Sequence, residues 1–176
     1  MTELSAVDAL ADFVRTRGAY RIGIDGVDGV GKTPLATELK EKLDCPLISL
    51  DDYLDLEKGG FIEHLSYSRL GQDLSNHSHV VIEGDCLLQV LARVAAEIDL
   101  LVYVKRLRHG VWLDERECEI DGDLEAFIAK EKELNGLIAG TSGESQVLEL
   151  SEEIIRYHYA YRPHSKAHVT YIRHDC

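Results

Sequence analysis

One short stretch of this sequence combines glycines, a lysine and a threonine at a spacing that suits phosphate binding. The stretch reads Gly26-Val27-Asp28-Gly29-Val30-Gly31-Lys32-Thr33 and fits the pattern G-x-x-x-x-G-K-S/T. Glycines let the backbone wrap closely around a phosphate chain with its N–H groups turned inward. We expect all eight residues to bind a nucleotide's phosphates, with Lys32 reaching the outer phosphates and the Thr33 hydroxyl holding Mg²⁺.

The segments on either side supply the context that this motif requires. Residues 20–25 have the pattern of a short buried strand, and residues 34–43 follow with leucines at helical spacing. Such a helix points its unpaired N–H groups and the positive end of its dipole at the loop, which favours an anion there. Pro34 lies in the first helical turn, where a proline is tolerated. The order strand, loop, helix favours a phosphate-binding loop over a chance glycine-rich turn.

Carboxylates follow the next two predicted strands. Asp51 and Asp52 come directly after the apolar run 46–50, and Glu83 follows the run 79–82. In parallel sheets, ligands bind outside the carboxyl ends of the strands, so these side chains are expected to lie beside the loop. Carboxylate oxygens also suit Mg²⁺. We assign Asp51 as the base that activates an acceptor hydroxyl and as a metal ligand, and Glu83 as a metal or water-shell ligand. The two roles could be exchanged.

Other interpretations of these residues stay open. Asp52 and Tyr53 are candidates to line the acceptor pocket. The alternative for Tyr53 is a structural aromatic residue near the strand end that does not contact a substrate. The alternative for the pair Asp51 and Asp52 is a solvated turn that opens a loop. Glu83 could belong to a simple strand-to-helix turn, with Asp85 as the helix cap.

The densest basic patch follows the fourth predicted strand, residues 100–104. It contains Lys105, Arg106, Arg108 and Arg116. Folded over the phosphates as a lid, this patch could stabilise charge in a transition state, and Arg106 and Arg108 are the best candidates for that catalytic role. The alternative is a set of helix-surface charges that pair with neighbouring acidic residues.

Predicted strands alternate with predicted helices along the whole chain. Helices are expected at 3–16, 67–74, 86–96 and 145–161, with two helical pieces over 106–140 and a fifth strand at 168–172. Several strands are continuous apolar runs, which is typical of strands covered on both faces. The pattern predicts a single three-layer α/β domain over residues 1–176, with a mostly parallel sheet and a lid or helical segment around 105–143.

The composition of the chain limits which binding partners and which cellular compartment are expected. The chain of 176 residues carries a formal net charge of −13, which argues against a binder of nucleic acid or of membrane surfaces. We find no signal peptide and no apolar run of membrane-spanning length. The four cysteines are scattered, which favours reduced thiols over disulfides or a zinc site. These features predict a cytoplasmic protein, and they leave a homo-oligomer open.

Three segments together resemble the uridine kinase-like branch of P-loop kinases, which includes nucleoside kinases and phosphoribulokinase. They are residues 22–33, residues 48–53 and residues 80–84, and the closing segment 163–169 is similar as well. The resemblance implies a five-stranded parallel sheet in the order 2-3-1-4-5, with helices on both faces. It also implies ATP as the donor, Mg²⁺, a lid after strand four, and a base at Asp51.

The sequence departs from that branch in three places. Pro34 stands where a second Ser or Thr is usual, and His168 stands where an aspartate is usual. The segment between Asp52 and Glu83 is only about thirty residues long, whereas nucleoside kinases of the branch hold their nucleoside with a much longer one.

These observations predict an ATP- and Mg²⁺-dependent kinase of a small hydroxylated molecule, such as the nucleoside uridine. The short segment favours a second interpretation, a phosphotransferase for a non-nucleoside acceptor. A third is a non-catalytic protein that binds ATP and regulates or assembles with a partner.

Overall fold

A mostly parallel β-sheet runs through the centre of the protein. The computed structural model describes residues 2–55, 61–138 and 144–175. Within these ranges the sheet has seven strands: β1 (Thr2–Leu4), β2 (Arg21–Asp25), β3 (Leu47–Ser49), β4 (Val80–Glu83), β5 (Leu100–Arg108), β6 (Val111–Trp112) and β7 (Val169–Asp175). Neighbours in the order β1-β7-β5-β2-β4-β3 pair in parallel, and β6 pairs antiparallel with β5.

Helices cover both faces of this sheet and make it the middle of three layers. They are α1 (Val7–Arg17), α2 (Lys32–Leu43), α3 (Tyr67–Asn76), α4 (Leu87–Arg93), α5 (Glu115–Cys118), α6 (Leu124–Ile138), α7 (Glu144–Tyr161) and α8 (Pro163–Lys166). Every residue of β4 is buried, as the continuous apolar run predicts for a strand covered on both faces. None of the described helices is long and apolar enough to cross a lipid bilayer.

The five strands predicted from the sequence are present, and their order is the expected one. The arrangement 2-3-1-4-5 corresponds to β3-β4-β2-β5-β7, so the predicted three-layer fold is confirmed. β1 extends the sheet beyond β7, with Thr2 opposite Val169. The helix expected over residues 3–16 therefore starts only at Val7, because residues 2–4 pair with the last strand instead.

The segment after the fourth predicted strand differs from expectation. β5 continues to Arg108, and a tight turn at His109 and Gly110, both with positive φ (51° and 80°), leads back into β6. Such a turn favours a hairpin. The helix predicted from residue 106 is therefore wrong over residues 106–112, which form this hairpin. Helices follow at α5 and α6, separated near Asp121 and Gly122 as predicted, while residues 139–143 lie outside the described ranges.

The hydrophobic core holds the functional edge of the sheet in place. Leu35 and Leu39 of α2 are buried, as are Val90 of α4 and Ile22 and Ile24 of β2. The loop that joins β2 to α2 lies at the carboxyl ends of the strands because it follows β2. The packing of α2 against the sheet holds it there.

Candidate functional site

A cavity of about 320 Å³ opens at the carboxyl ends of β2, β3 and β4. The described residues that line it are Asp28, Gly29, Gly31, Lys32, Thr33, Pro34, Asp51, Glu83, Gly84, Asp85 and Arg173. This is the edge of a parallel sheet where ligands bind. The structure thus brings the glycine loop together with Asp51 and Glu83.

The loop has the backbone conformation that its glycines permit. Gly29 and Gly31 have φ of 67° and 99°, values that residues other than glycine rarely adopt. The side chains of Val27 and Val30 are buried and fix the loop to the core, and Gly26 packs against Val30. α2 begins at Lys32 directly after Gly31. The unpaired N–H groups at such a helix end favour an anion, and this end lies beside the cavity.

Lys32 is buried and held by two acceptors. Its ammonium group donates to the carbonyl oxygen of Val27 at 2.9 Å and to Oδ1 of Asp85 at 2.7 Å. Burial disfavours the ammonium ion, but the Asp85 carboxylate outweighs that effect and raises the pKa of Lys32. The lysine is therefore charged, and its charge is already paired within the protein.

Thr33, Glu83 and Ser49 form a connected group of oxygens. The Thr33 hydroxyl lies 3.2 Å from Oε1 of Glu83, and the Ser49 hydroxyl donates to the same oxygen at 2.5 Å. Burial raises the pKa of Glu83, although the hydrogen bonds from Ser49 and Thr33 act to lower it. Hydroxyl and carboxylate oxygens are the ligands that Mg²⁺ takes while keeping several waters, so these residues fit the ion. In the described part of the chain, no group of three or more His, Cys, Asp or Glu residues is arranged to hold a metal.

Asp51 lies in a 3₁₀ turn (Leu50–Tyr53) that follows β3. Its carboxylate lines the cavity, and partial burial raises its pKa, while the Lys32 charge acts in the opposite sense. A carboxylate with a raised pKa at the wall of a cavity is suited to accept a proton.

The neighbours of Asp51 point elsewhere. Asp52 is exposed, and its carbonyl oxygen accepts a hydrogen bond from Arg69 at 2.7 Å. Tyr53 is buried, with its hydroxyl donating to Asp73 at 2.6 Å and the guanidinium of Arg69 over its ring. Among the described residues, neither Asp52 nor Tyr53 is part of the cavity lining.

The two arginines expected over the phosphates also lie outside that lining. Arg106 donates to Oδ1 of Asp114 at 2.7 Å, which ties the β5–β6 hairpin to the start of α5. Arg108 lies at the exposed end of β5. Arg173 of β7 lines the cavity instead, and its Nη1 donates to the carbonyl oxygen of Val30 at 3.1 Å.

Asp25, directly before the loop, is fully buried. Its Oδ1 accepts a hydrogen bond from the N–H of Gly26 at 2.7 Å, and its Oδ2 accepts a short one from the hydroxyl of Tyr157 in α7. Burial raises the pKa of Asp25 to about 7, although these donors and the Lys32 charge favour the ionised form. This contact joins the loop to a helix far along the chain.

Three residues that line the cavity or contact the glycine loop or Asp25 were not predicted from the sequence to do so. Asp85 stood out only as a helix cap, although it lies two residues after Glu83 at the same strand end. Nothing in the spacing pointed to Arg173 or to Tyr157, because their distance from the loop in sequence gives no local signal.

A second cavity of about 450 Å³ adjoins the first. Gly31, Pro34 and Arg173 line both cavities, and the second continues along Leu35 and Tyr171. A ligand longer than a phosphate chain could extend from the loop into this space.

Comparison with solved structures finds proteins that share this fold. The structure of a possible uridine kinase from Bacillus stearothermophilus matches with a TM-score of 0.52 and 15% identity, over 94% of this chain and 96% of that one. Shikimate kinases from Aquifex aeolicus and Bacteroides thetaiotaomicron also match, with TM-scores of 0.39 and 0.38, each at 17% identity. The first covers 85% of this chain and 84% of its own, and the second covers 86% and 85%.

No protein-family model matches the sequence, and no curated protein sequence is significantly similar to it. At these identities the structural likeness speaks for the fold. The chain has the three-layer α/β fold seen in P-loop kinases, and the expected resemblance to the uridine kinase-like branch is confirmed at that level.

Proposed function

We propose that this protein is an ATP- and Mg²⁺-dependent phosphotransferase that transfers the γ-phosphate to a hydroxyl group of a small molecule. One observation carries the proposal. Lys32 and Thr33 of the glycine loop line the same cavity as Asp51 and Glu83, which lie at the carboxyl ends of two neighbouring parallel strands. Phosphoryl transfer needs a phosphate cradle, metal ligands and a group that aligns the acceptor, and this cavity contains side chains for each.

On the donor side, the backbone N–H groups of residues 26–33 bind the phosphates, and Lys32 contributes its positive charge. The cavity beyond Pro34 gives the nucleoside end of ATP a place to lie. Its lining is partly apolar through Leu35 and Tyr171, which suits a flat aromatic base.

The metal site is proposed on Thr33 and Glu83, with Asp51 as a further carboxylate. Mg²⁺ bound there would neutralise charge on the phosphates during transfer. Ser49 holds one oxygen of Glu83 at 2.5 Å and thereby orients the carboxylate. Hydrogen bonds of this kind fix a ligand before the ion arrives.

On the acceptor side, Asp51 is proposed to align the acceptor hydroxyl and take its proton. A positioned base is typically worth about 10²- to 10⁴-fold in rate. The reverse assignment, with Glu83 instead of Asp51 as the base, is less well supported. Glu83 is buried and bonded by two hydroxyls, whereas Asp51 is the more accessible of the two carboxylates at the cavity wall.

The fold neighbour described as a possible uridine kinase makes uridine the first acceptor to test. A non-nucleoside acceptor is the second candidate, and the orientation of Tyr53 favours it. Because the Tyr53 hydroxyl is bonded to Asp73, the aromatic residue next to the proposed base is not directed to the cavity.

A non-catalytic ATP-binding role is supported by a different observation. The Lys32 ammonium is already paired with Asp85, so a bound nucleotide must compete with a carboxylate for this lysine. A protein that senses ATP and changes its contacts with a partner could use such competition.

The test is a transfer assay with γ-labelled ATP, Mg²⁺ and a panel of acceptors that contains nucleosides, sugars and vitamin precursors. We expect label to appear on one acceptor class with the wild type and none with Lys32→Ala. ATP binding without transfer or hydrolysis on any acceptor would instead favour the sensing role.

A further inference from the structure

Arg173 lies directly over the phosphate-binding loop, although it belongs to the last strand of the sheet. Its Nη1 donates to the carbonyl oxygen of Val30 at 3.1 Å. A Cβ atom built on Gly31 would come within 2.5 Å of the same nitrogen. The guanidinium therefore rests on the loop backbone at the position where the helix α2 begins.

Arg173 also lies between the two cavities. It lines the phosphate cavity together with Lys32 and Thr33, and it lines the second cavity together with Leu35 and Tyr171. A nucleotide that occupies both spaces must pass this side chain with the part of its phosphate chain nearest the nucleoside.

The cavity is lined by more acidic than basic side chains, so a bound phosphate chain requires an additional positive charge. Among the described residues, four carboxylates line it, from Asp28, Asp51, Glu83 and Asp85, and of the two cations there Lys32 is buried against Asp85. Arg173 is about half exposed, and its Nε lies 3.5 Å from Oδ1 of Asp175. An exposed ion pair of that length is weak, so the guanidinium can turn to a stronger anion.

The arginines of the neighbouring strand are placed differently. In the β5–β7 register Arg106 lies opposite Arg173, and Arg108 lies opposite Asp175. Arg106 is bonded to Asp114 at 2.7 Å and has a second carboxylate, Asp175, at 3.9 Å. Its charge is therefore engaged in the hairpin.

We propose that Arg173 is the arginine that binds the phosphate chain of the donor nucleotide, in place of Arg106 or Arg108. It does so by exchanging the Val30 carbonyl for phosphate oxygens, and its planar fork can bond two of them at once. The inference rests on the proposed ATP-binding function and deepens it. Because the contact is to the bound chain, Arg173 contributes chiefly to nucleotide affinity.

The experiment measures binding of two probes, MgATP and inorganic tripolyphosphate, by calorimetry. Arg173→Ala is expected to weaken both by about ten- to a hundred-fold, the range of a hydrogen bond to a charged group. Arg173→Lys should recover part of the loss, since it restores charge without the fork. Thermal unfolding of each variant without ligand separates this effect from simple damage to the loop.

The matched control is Arg17→Ala. Arg17 is an exposed arginine at the end of α1, just before β2 begins, and so at the opposite edge of the sheet. We expect wild-type affinity for both probes. Arg106→Ala and Arg108→Ala test the competing assignments.

Several outcomes would overturn the inference. Unchanged binding by Arg173→Ala, or a larger loss in Arg106→Ala or Arg108→Ala, contradicts it while leaving ATP binding intact. Loss of binding that Arg173→Lys does not recover, together with a lower unfolding temperature, would show a structural role. Failure of the wild type to bind either probe would overturn the proposed function and the inference with it.

Discussion

The ammonium group of Lys32 and the carboxylate of Asp85 form an ion pair of 2.7 Å in which both side chains are more than nine-tenths buried. Lys32 belongs to the glycine loop, and Asp85 follows β4, two residues after Glu83. The lysine expected to attract phosphate is thus neutralised before any phosphate is present. A nucleotide must share Lys32 with Asp85 or displace it.

Asp85→Asn should therefore tighten nucleotide binding. The substitution removes a negative charge beside the phosphate site but keeps an oxygen that can accept a bond from Lys32. Breaking a buried ion pair typically costs about 3–5 kcal/mol, so the ligand-free variant should unfold at a lower temperature. Added MgATP should then raise its unfolding temperature by more than it does for the wild type.

Asp28→Asn is the matched control for that experiment. Asp28 lines the same cavity and carries the same charge, but it is exposed. Because the proposed phosphate contact of Asp28 is its backbone N–H, the substitution keeps that contact; it should change MgATP affinity less than Asp85→Asn does and leave the ligand-free stability unchanged. Weaker MgATP binding by Asp85→Asn would contradict the competition and indicate that Asp85 binds the metal.

Asp51→Asn should lower the turnover number by about 10²- to 10⁴-fold while ATP still binds, because a base acts in the chemical step. Burial raises the pKa of Asp51, so its carboxyl stays protonated to a higher pH than an ordinary aspartate. The turnover number of the wild type should therefore rise with pH through that raised pKa. A pH–rate profile on the identified acceptor checks this, and normal transfer by Asp51→Asn would exclude the role.

Glu83→Gln should increase the Mg²⁺ concentration that half-maximal activity requires. Ser49→Ala should act in the same direction by about ten-fold, because it frees an oxygen of Glu83 that Ser49 orients at 2.5 Å. Magnesium titrations at saturating ATP measure both effects. If Ser49→Ala lowered activity equally at every Mg²⁺ concentration, the oriented-ligand explanation would be wrong.

Asp25 should make the stability of the fold depend on pH. Its pKa is about 7 in the folded protein and 3.8 ordinarily, so between these values the folded state keeps a proton that the unfolded state releases. The free energy of unfolding must then fall as pH rises through this window, by up to about 4 kcal/mol, and level off above the folded pKa.

Asp25→Asn removes the titrating group and should flatten that dependence. Urea unfolding of the wild type and the variant between about pH 5 and about pH 8 measures the difference. Tyr157→Phe should extend the dependence to higher pH, because the Tyr157 hydroxyl stabilises the ionised carboxylate and its loss raises the pKa of Asp25 further. A wild type and an Asp25→Asn variant with parallel stability profiles would exclude this role for Asp25.

Much of the donor side could be predicted from the sequence because its determinants are local. The turn at Gly29 and Gly31, the start of α2 at Lys32 and the strand before them depend on residues close together in the chain. The apolar runs of β2, β4 and β5 likewise indicated a buried parallel sheet, whose carboxyl ends bring Asp51 and Glu83 to the loop.

The hairpin at 106–112 could not be predicted in the same way. Its charged residues suit the surface of a helix as well as the end of a strand, and the choice depends on β7 pairing with β5 as far as Arg108. The hairpin sets Arg106 against Asp114, and β7 carries Arg173 to the loop. Neither contact has a signature in the spacing of residues.

The sequence by itself therefore determined the glycine loop, the parallel sheet and the acidic residues at its edge. Only the tertiary structure decided which charges meet there. Asp85 pairs with Lys32, Tyr157 with Asp25, and Arg173 reaches over Val30. Backbone conformation follows from neighbours in sequence, but a contact between side chains on separate strands and helices exists only once those elements are packed together.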